Sequence, residues 1–163
     1  MQQAHSNYTV IKKSKMTGKQ YSLSLTAGFW SGIILGIILY ILEKVSGKKV
    51  YTLLMNVDFI PVLNSYLLPP WIEFSLHLIV SLLLSVGIQY LIVKRNTYRI
   101  MLITCVAVLP TILLYFPLSI LATKEVARID DISAFSYWSI SHVIYALTLG
   151  YMLRHINKGH STE

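Results

Sequence analysis

The chain has 163 residues, 55% of them hydrophobic and 13% charged, with a formal net charge of +7. A soluble domain of this length has too little interior to hide so many apolar side chains, and the charged fraction is about half of the usual ~25%. The basic residues gather at the ends of apolar runs and form no aromatic-interleaved stripe, which argues against nucleic-acid binding and for membrane topology.

Those runs are roughly twenty residues long, the length that crosses a hydrocarbon core of about 30 Å at about 1.5 Å per residue. The chain therefore reads as an all-α integral membrane protein with four transmembrane helices. A four-helix domain at 22–153 lies between a basic tail at 1–21 and a second tail at 154–163. The spans are 22–42, 71–93, 100–122 and 132–153.

The first run follows Lys12, Lys13, Lys15 and Lys19. It is long and lacks a small-x-small cleavage pattern after it, so it reads as a retained helix and not as a signal peptide. Within it Ser24, Gly28, Gly32 and Gly36 recur every fourth residue, which aligns small side chains along one groove. A partner backbone can then approach closely, and in lipid such shape fit drives helix association. The partner is either another helix of the same chain or a second copy, which would make a homo-oligomer.

The segment 43–70 contains "VYTLLMNVDFIPVLNSYLLPP", apolar but interrupted by Asn56, Asp58, Pro61, Asn64, Pro69 and Pro70. It reads as an interfacial or re-entrant piece on the outer face in preference to a fifth, distorted span.

The second span opens with "PPWIEFSLH" and carries Glu73, His77, Ser81, Ser85 and Gln89 at intervals of four, a stripe that winds gently round one helix face. Polar groups in a span face protein or a wet cavity. The serines and Gln89 read as interhelical packing contacts; Glu73 and His77 ask for more. Trp71 sits at the interface, with Glu73 near headgroup depth and His77 deeper. The third span holds Pro110 and Pro117, which free the carbonyls of Val106 and Leu113. In the fourth, His142 lies beside Ser139 and Tyr145. Glu73, His77, the Leu113 carbonyl and His142 fall at similar depth, so they are expected to converge, beside Pro117, in a polar pocket opening outward.

Nine of the 14 Lys and Arg lie in the tails and at 94–99, against five at 43–70 and 123–131. The excess belongs on the cytoplasmic side, which places both termini there. His5, His155 and His160 read as solvated tail residues, and the N-terminal lysines as partners of anionic headgroups. The single cysteine, Cys105, excludes an internal disulfide and a CxxC pair and reads as a small buried hydrophobe.

Three stretches, "LHLIVSLLLSVGIQY", "YFPLSIL" and "SHVIYALTLGYMLRHINK", resemble in order and spacing the YagU-type family of small bacterial inner-membrane proteins. The matching positions are His77 with Ser81, Phe116-Pro117-Leu118, and Ser141-His142. The resemblance covers the second half of the chain; the long outer segment departs from the family's pattern. It implies a multi-span inner-membrane protein without an assigned reaction, linked in enteric bacteria to acid resistance.

The expected function is that of a non-catalytic membrane protein whose outward-facing Glu73, His77 and His142 respond to protons. No cofactor is expected, and the lipid bilayer is the expected partner. One alternative is an oligomeric transporter or channel component assembled through the glycine face. Another is a membrane metal site built from Glu73, His77 and His142, or a haem held between the two histidines. Against these last, HExxH is absent and no nucleophile–base pair is evident.

Overall fold

A computed structural model describes residues 15–57, 68–95 and 97–158, and among them there are helices and no strands. Much of the outer segment, with Asp58, Pro61 and Asn64, lies outside the described residues, as do Lys12, Lys13, His5 and His160. The helices are α1 (Gly18–Ser46), α2 (Val50–Leu54), α3 (Pro70–Arg95), α4 (Ile100–Leu113), α5 (Tyr115–Leu121) and α6 (Ile132–Lys158).

Helix α1 begins four residues before its apolar run because a capping box fixes its start. The Thr17 hydroxyl accepts from the Gln20 amide at 3.2 Å, and Gln20 Oε1 accepts from the Thr17 amide at 3.0 Å. It ends at Gly47, whose φ of 71° is the left-handed conformation that closes many helices. Helix α3 starts on Pro70, a residue suited to the first helical position. Helix α6 is capped by Asp131, whose carboxylate accepts from the Ala134 amide at 3.0 Å.

The run expected as a single span at 100–122 is divided at Leu114 into α4 and α5. Pro117 supplies the reason: it has no N–H for the Leu113 carbonyl, and its ring crowds that carbonyl, so the regular ladder stops one turn earlier.

In space the order is α3, α1, α6, α4. Helix α1 packs on α3 and on α6, and α6 packs on α4, while α3 and α4 meet only slightly. The bundle is therefore an arc with a gap between its two end helices. Its core runs through Leu35, Leu39, Trp138, Tyr145, Leu149 and Leu153. Leu83, Leu102, Leu109, Leu113 and Ile120 stand exposed around the outside.

The small residues of α1 face α3. A Cβ at Gly28 would lie 2.9 Å from the Ser81 carbonyl oxygen and 3.1 Å from the Leu82 Cα, and one at Gly32 would lie 3.0 Å from Ser81 Oγ. Ser85 Oγ donates to the Ser24 carbonyl and Ser81 Oγ to the Gly28 carbonyl, each at 2.7 Å. The groove thus receives a helix of the same chain; a second copy would have to displace α3 to use it. On the other seam, a Cβ at Gly150 of α6 would lie 2.8 Å from Met101 Sδ of α4.

Ion pairs gather at one end of the bundle: Lys48–Asp131 at 2.6 Å, Lys49–Glu125 at 2.5 Å, Lys124–Glu73 at 2.6 Å and Arg128–Asp130 at 2.8 Å. At the opposite end Gln89 and Asn157 exchange two amide hydrogen bonds, at 3.0 and 2.9 Å.

Three helical stretches are long and apolar enough to cross a membrane: Gly18–Ser46, Pro70–Arg95 and Ile100–Leu121. Helix α6 has the length, with 27 residues, but more polar side chains.

Candidate functional site

The gap between α3 and α4–α5 encloses a cavity of about 360 Å³. From α3 it is lined by Glu73, His77 and Ser81, three steps of the four-residue stripe, with Ile79 and Val80 at the rim. Helix α6 contributes Trp138, His142 and Tyr145 to the floor. Thr111, Leu114, Pro117 and Leu121 form the facing wall, and Leu54, Asn56 and Val57 close the ion-paired end. The walls are mostly hydrocarbon, so the site is an apolar cleft with a few polar groups and differs from the polar pocket expected.

The polar groups are largely engaged. His142 is buried, with Nδ1 2.8 Å from the Trp138 carbonyl and its ring stacked on Trp138 at 4.3 Å between centroids. A carbonyl only accepts, so Nδ1 carries the hydrogen and Nε2 is the free position of the neutral ring. Ser81 Oγ gives its hydrogen to the Gly28 carbonyl and, 2.9 Å away, accepts from the Tyr145 hydroxyl. Its proton therefore points at backbone and not at a histidine, so Ser81 is not arranged as an activated nucleophile.

His77 Nε2 is buried with no hydrogen-bond partner. His142 lines the same cleft from α6. Two imidazoles from different helices thus share one cleft.

Glu73 behaves differently from the sequence expectation. It does not pair with His77, one turn along; Lys124, from the α5–α6 loop, takes its carboxylate instead. Pro117 lines the cleft, but Leu113 does not and stands 61% exposed, so the Leu113 carbonyl is not part of the site. Nor does the alternative metal set assemble: no group of three His, Cys, Asp or Glu able to hold a metal ion is found among the described residues, and Glu73, His77 and His142 make none. Cys105 is a half-buried free thiol away from the cleft, and His155 is exposed.

Four further residues shape the site. Trp138 is legible, four residues before His142 on the same face. Lys124 and Asn56 are not, since each reaches a partner more than fifty residues away: Asn56 Nδ2 donates to the Leu118 carbonyl at 3.3 Å. Thr111 gives the wall a polar point through its carbonyl, 3.3 Å from Trp138 Nε1. Set against family models, curated proteins and solved structures, the chain matches none of them.

Proposed function

We propose that this chain is a four-span bacterial inner-membrane protein, both termini cytoplasmic, that works without catalysis and responds to protons reaching His77 and His142 from the outer face. Helix α6 serves as the fourth span because most of its hydroxyl side chains are satisfied locally, the buried Ser139 Oγ being an exception. Ser136, Ser141 and Thr148 each donate to the carbonyl four residues back, and Tyr145 meets Ser81. Average polarity therefore overstates what α6 would expose to lipid. The orientation is supported by charge. Of the five cations at the ion-paired end, Lys48, Lys49, Lys124 and Arg128 have acidic partners and Lys44 lies over the Tyr40 ring, whereas Lys15, Lys19, Lys94, Arg95, Arg99, Arg154 and Lys158 at the other end have no acidic residue beside them in an ion pair among the described residues. The free positive excess belongs in the cytoplasm.

The observation that carries the proton reading is the shared cleft of the two imidazoles. Protonating both would set like charges across the α3–α6 boundary among apolar walls, where repulsion is poorly screened. Glu73, the carboxylate in the same cleft, is already paired with Lys124 and is not free to neutralise them.

Trp138, stacked on His142, is a built-in reporter. In a background of Trp30→Phe and Trp71→Phe, its emission should titrate as external pH falls. His142→Gln should abolish that titration, and His77→Gln should move its midpoint. Cells carrying the double histidine-to-glutamine variant should also lose survival at low external pH. A flat titration with unchanged survival would sink the proposal.

A further inference from the structure

We infer that the cleft between α3 and α4–α5 holds one acyl chain of a phospholipid drawn sideways from the leaflet at its ion-paired end. The inference uses the membrane placement proposed above and is independent of the proton response.

Length is the first argument. On α3 the lining runs from Glu73 to Leu84, and on α4–α5 from Thr111 to Leu121. At about 1.5 Å per residue these are about 16 and 15 Å, half of a hydrocarbon core of about 30 Å. The cleft is as deep as one leaflet.

Its opening is the second. Ile79, Val80 and Leu121 at the rim are 49%, 56% and 55% exposed, on helix faces directed away from the bundle, while Trp138 on the floor is 2% exposed. A chain lying in the leaflet meets this slot edge-on and need not pass through water.

Third, the lining suits hydrocarbon better than water. Ser81, Tyr145 and His142 Nδ1 already hold their partners, so an alkyl chain strips no hydrogen bond from them, whereas water would find few of the two to four partners it needs. At the headgroup end the Glu73–Lys124 pair offers both signs of charge, complementary to a zwitterionic headgroup. His77, with its unpartnered Nε2, lies one turn inward.

The test uses full-length protein carrying Trp30→Phe and Trp71→Phe, in nanodiscs of phosphatidylcholine at neutral pH. The two residues removed are 52% and 70% exposed and would report bulk lipid; Trp138 remains, shielded from the bilayer except through the cleft. Chains brominated in their upper half should quench Trp138 by half or more, and chains brominated at the terminal methyl end much less. Adding Val80→Phe and Leu121→Phe at the rim should remove the quenching, with size-exclusion profile and helical content unchanged. The inference is overturned if Trp138 emission is the same in brominated and plain lipid, or if the filled rim leaves quenching intact. It is also overturned if only added brominated free fatty acid quenches, which would make the occupant a fatty acid. A flat pH titration with lipid quenching retained would remove the proton reading and leave this one standing.

Discussion

Along its face toward α1, helix α3 donates Ser81 and Ser85 hydroxyls to the Gly28 and Ser24 carbonyls and leaves no room for a Cβ at Gly28. Along its face toward α4 and α5, one residue further round, it borders a cavity of about 360 Å³. Both faces are bounded by apolar helices, and lipid gives neither a hydrophobic reason to close. What differs is shape. The α1 face offers a row of small residues, so backbones come together and short polar side chains reach across. The α4–α5 face offers Leu114, Leu118 and Leu121 on a helix broken by Pro117, and bulky side chains on an interrupted backbone hold the helices apart.

The largest expected effect comes from spoiling the tight side. Gly28→Leu would drive carbon into the Ser81 carbonyl and Leu82 Cα, backbone atoms that cannot rotate away. A loss of about 3 kcal/mol is expected, at the upper end of overpacking costs, read as unfolding of purified protein in mixed detergent. Gly36→Ala should cost under about 1 kcal/mol, because its obstruction is the Phe74 ring, a side-chain end free to shift. Equal effects at the two glycines would mean that the seam is not set by backbone approach.

Val80, at the rim of the cleft, and Ser81, which lines the cleft and also bonds across the α1 seam, then separate the two kinds of contact. Ser81→Ala removes the bond to the Gly28 carbonyl and leaves the buried Tyr145 hydroxyl without its partner, an expected cost of about 1.5 kcal/mol. Ser85→Ala, losing one bond, should cost about 0.6 kcal/mol. Val80→Phe, at the half-exposed rim of the cleft, should change stability by less than about 0.5 kcal/mol. If Val80→Phe destabilises as much as Ser81→Ala, the cleft is packed and not open.

The tight side was legible in the sequence and the open side was not, for a physical reason. A four-residue period at Ser24, Gly28, Gly32 and Gly36, met by Ser81 and Ser85, is local information: it states which face of a helix is small before any neighbour is known. A cleft is defined by which two helices fail to touch, and that depends on the order α3, α1, α6, α4, which no period encodes. The depths of His77 and His142 could be read from residue counting, and both line the same cavity. That Glu73 turns to Lys124 could not, because the partner arrives on a loop from the far end helix. The start of α1 at Gly18 shows a further limit, since the apolar run marks membrane-compatible residues while the capping box marks the helix.

The smallest expected effect concerns the tie between the two middle helices of this arc, where Lys48 after α1 meets Asp131 before α6. The Lys48 ammonium, and after it the Ala134 amide, hold the Asp131 carboxyl below its ordinary value of 3.8. A carboxylate whose folded pKa is depressed stabilises the fold above its unfolded pKa, and that contribution disappears as pH falls through the folded value. Asp131→Asn keeps a side chain able to cap α6, so it isolates the charge pairing from the cap. The melting temperature of the variant should therefore lie slightly below that of the parent above about pH 5, and the gap should narrow as pH falls and the carboxyl takes up its proton below its ordinary value. A gap that persists unchanged at the acidic end would assign Asp131 to the helix cap alone. In that case acid would leave the α1–α6 tie untouched, and any structural response to protons would have to begin inside the cleft.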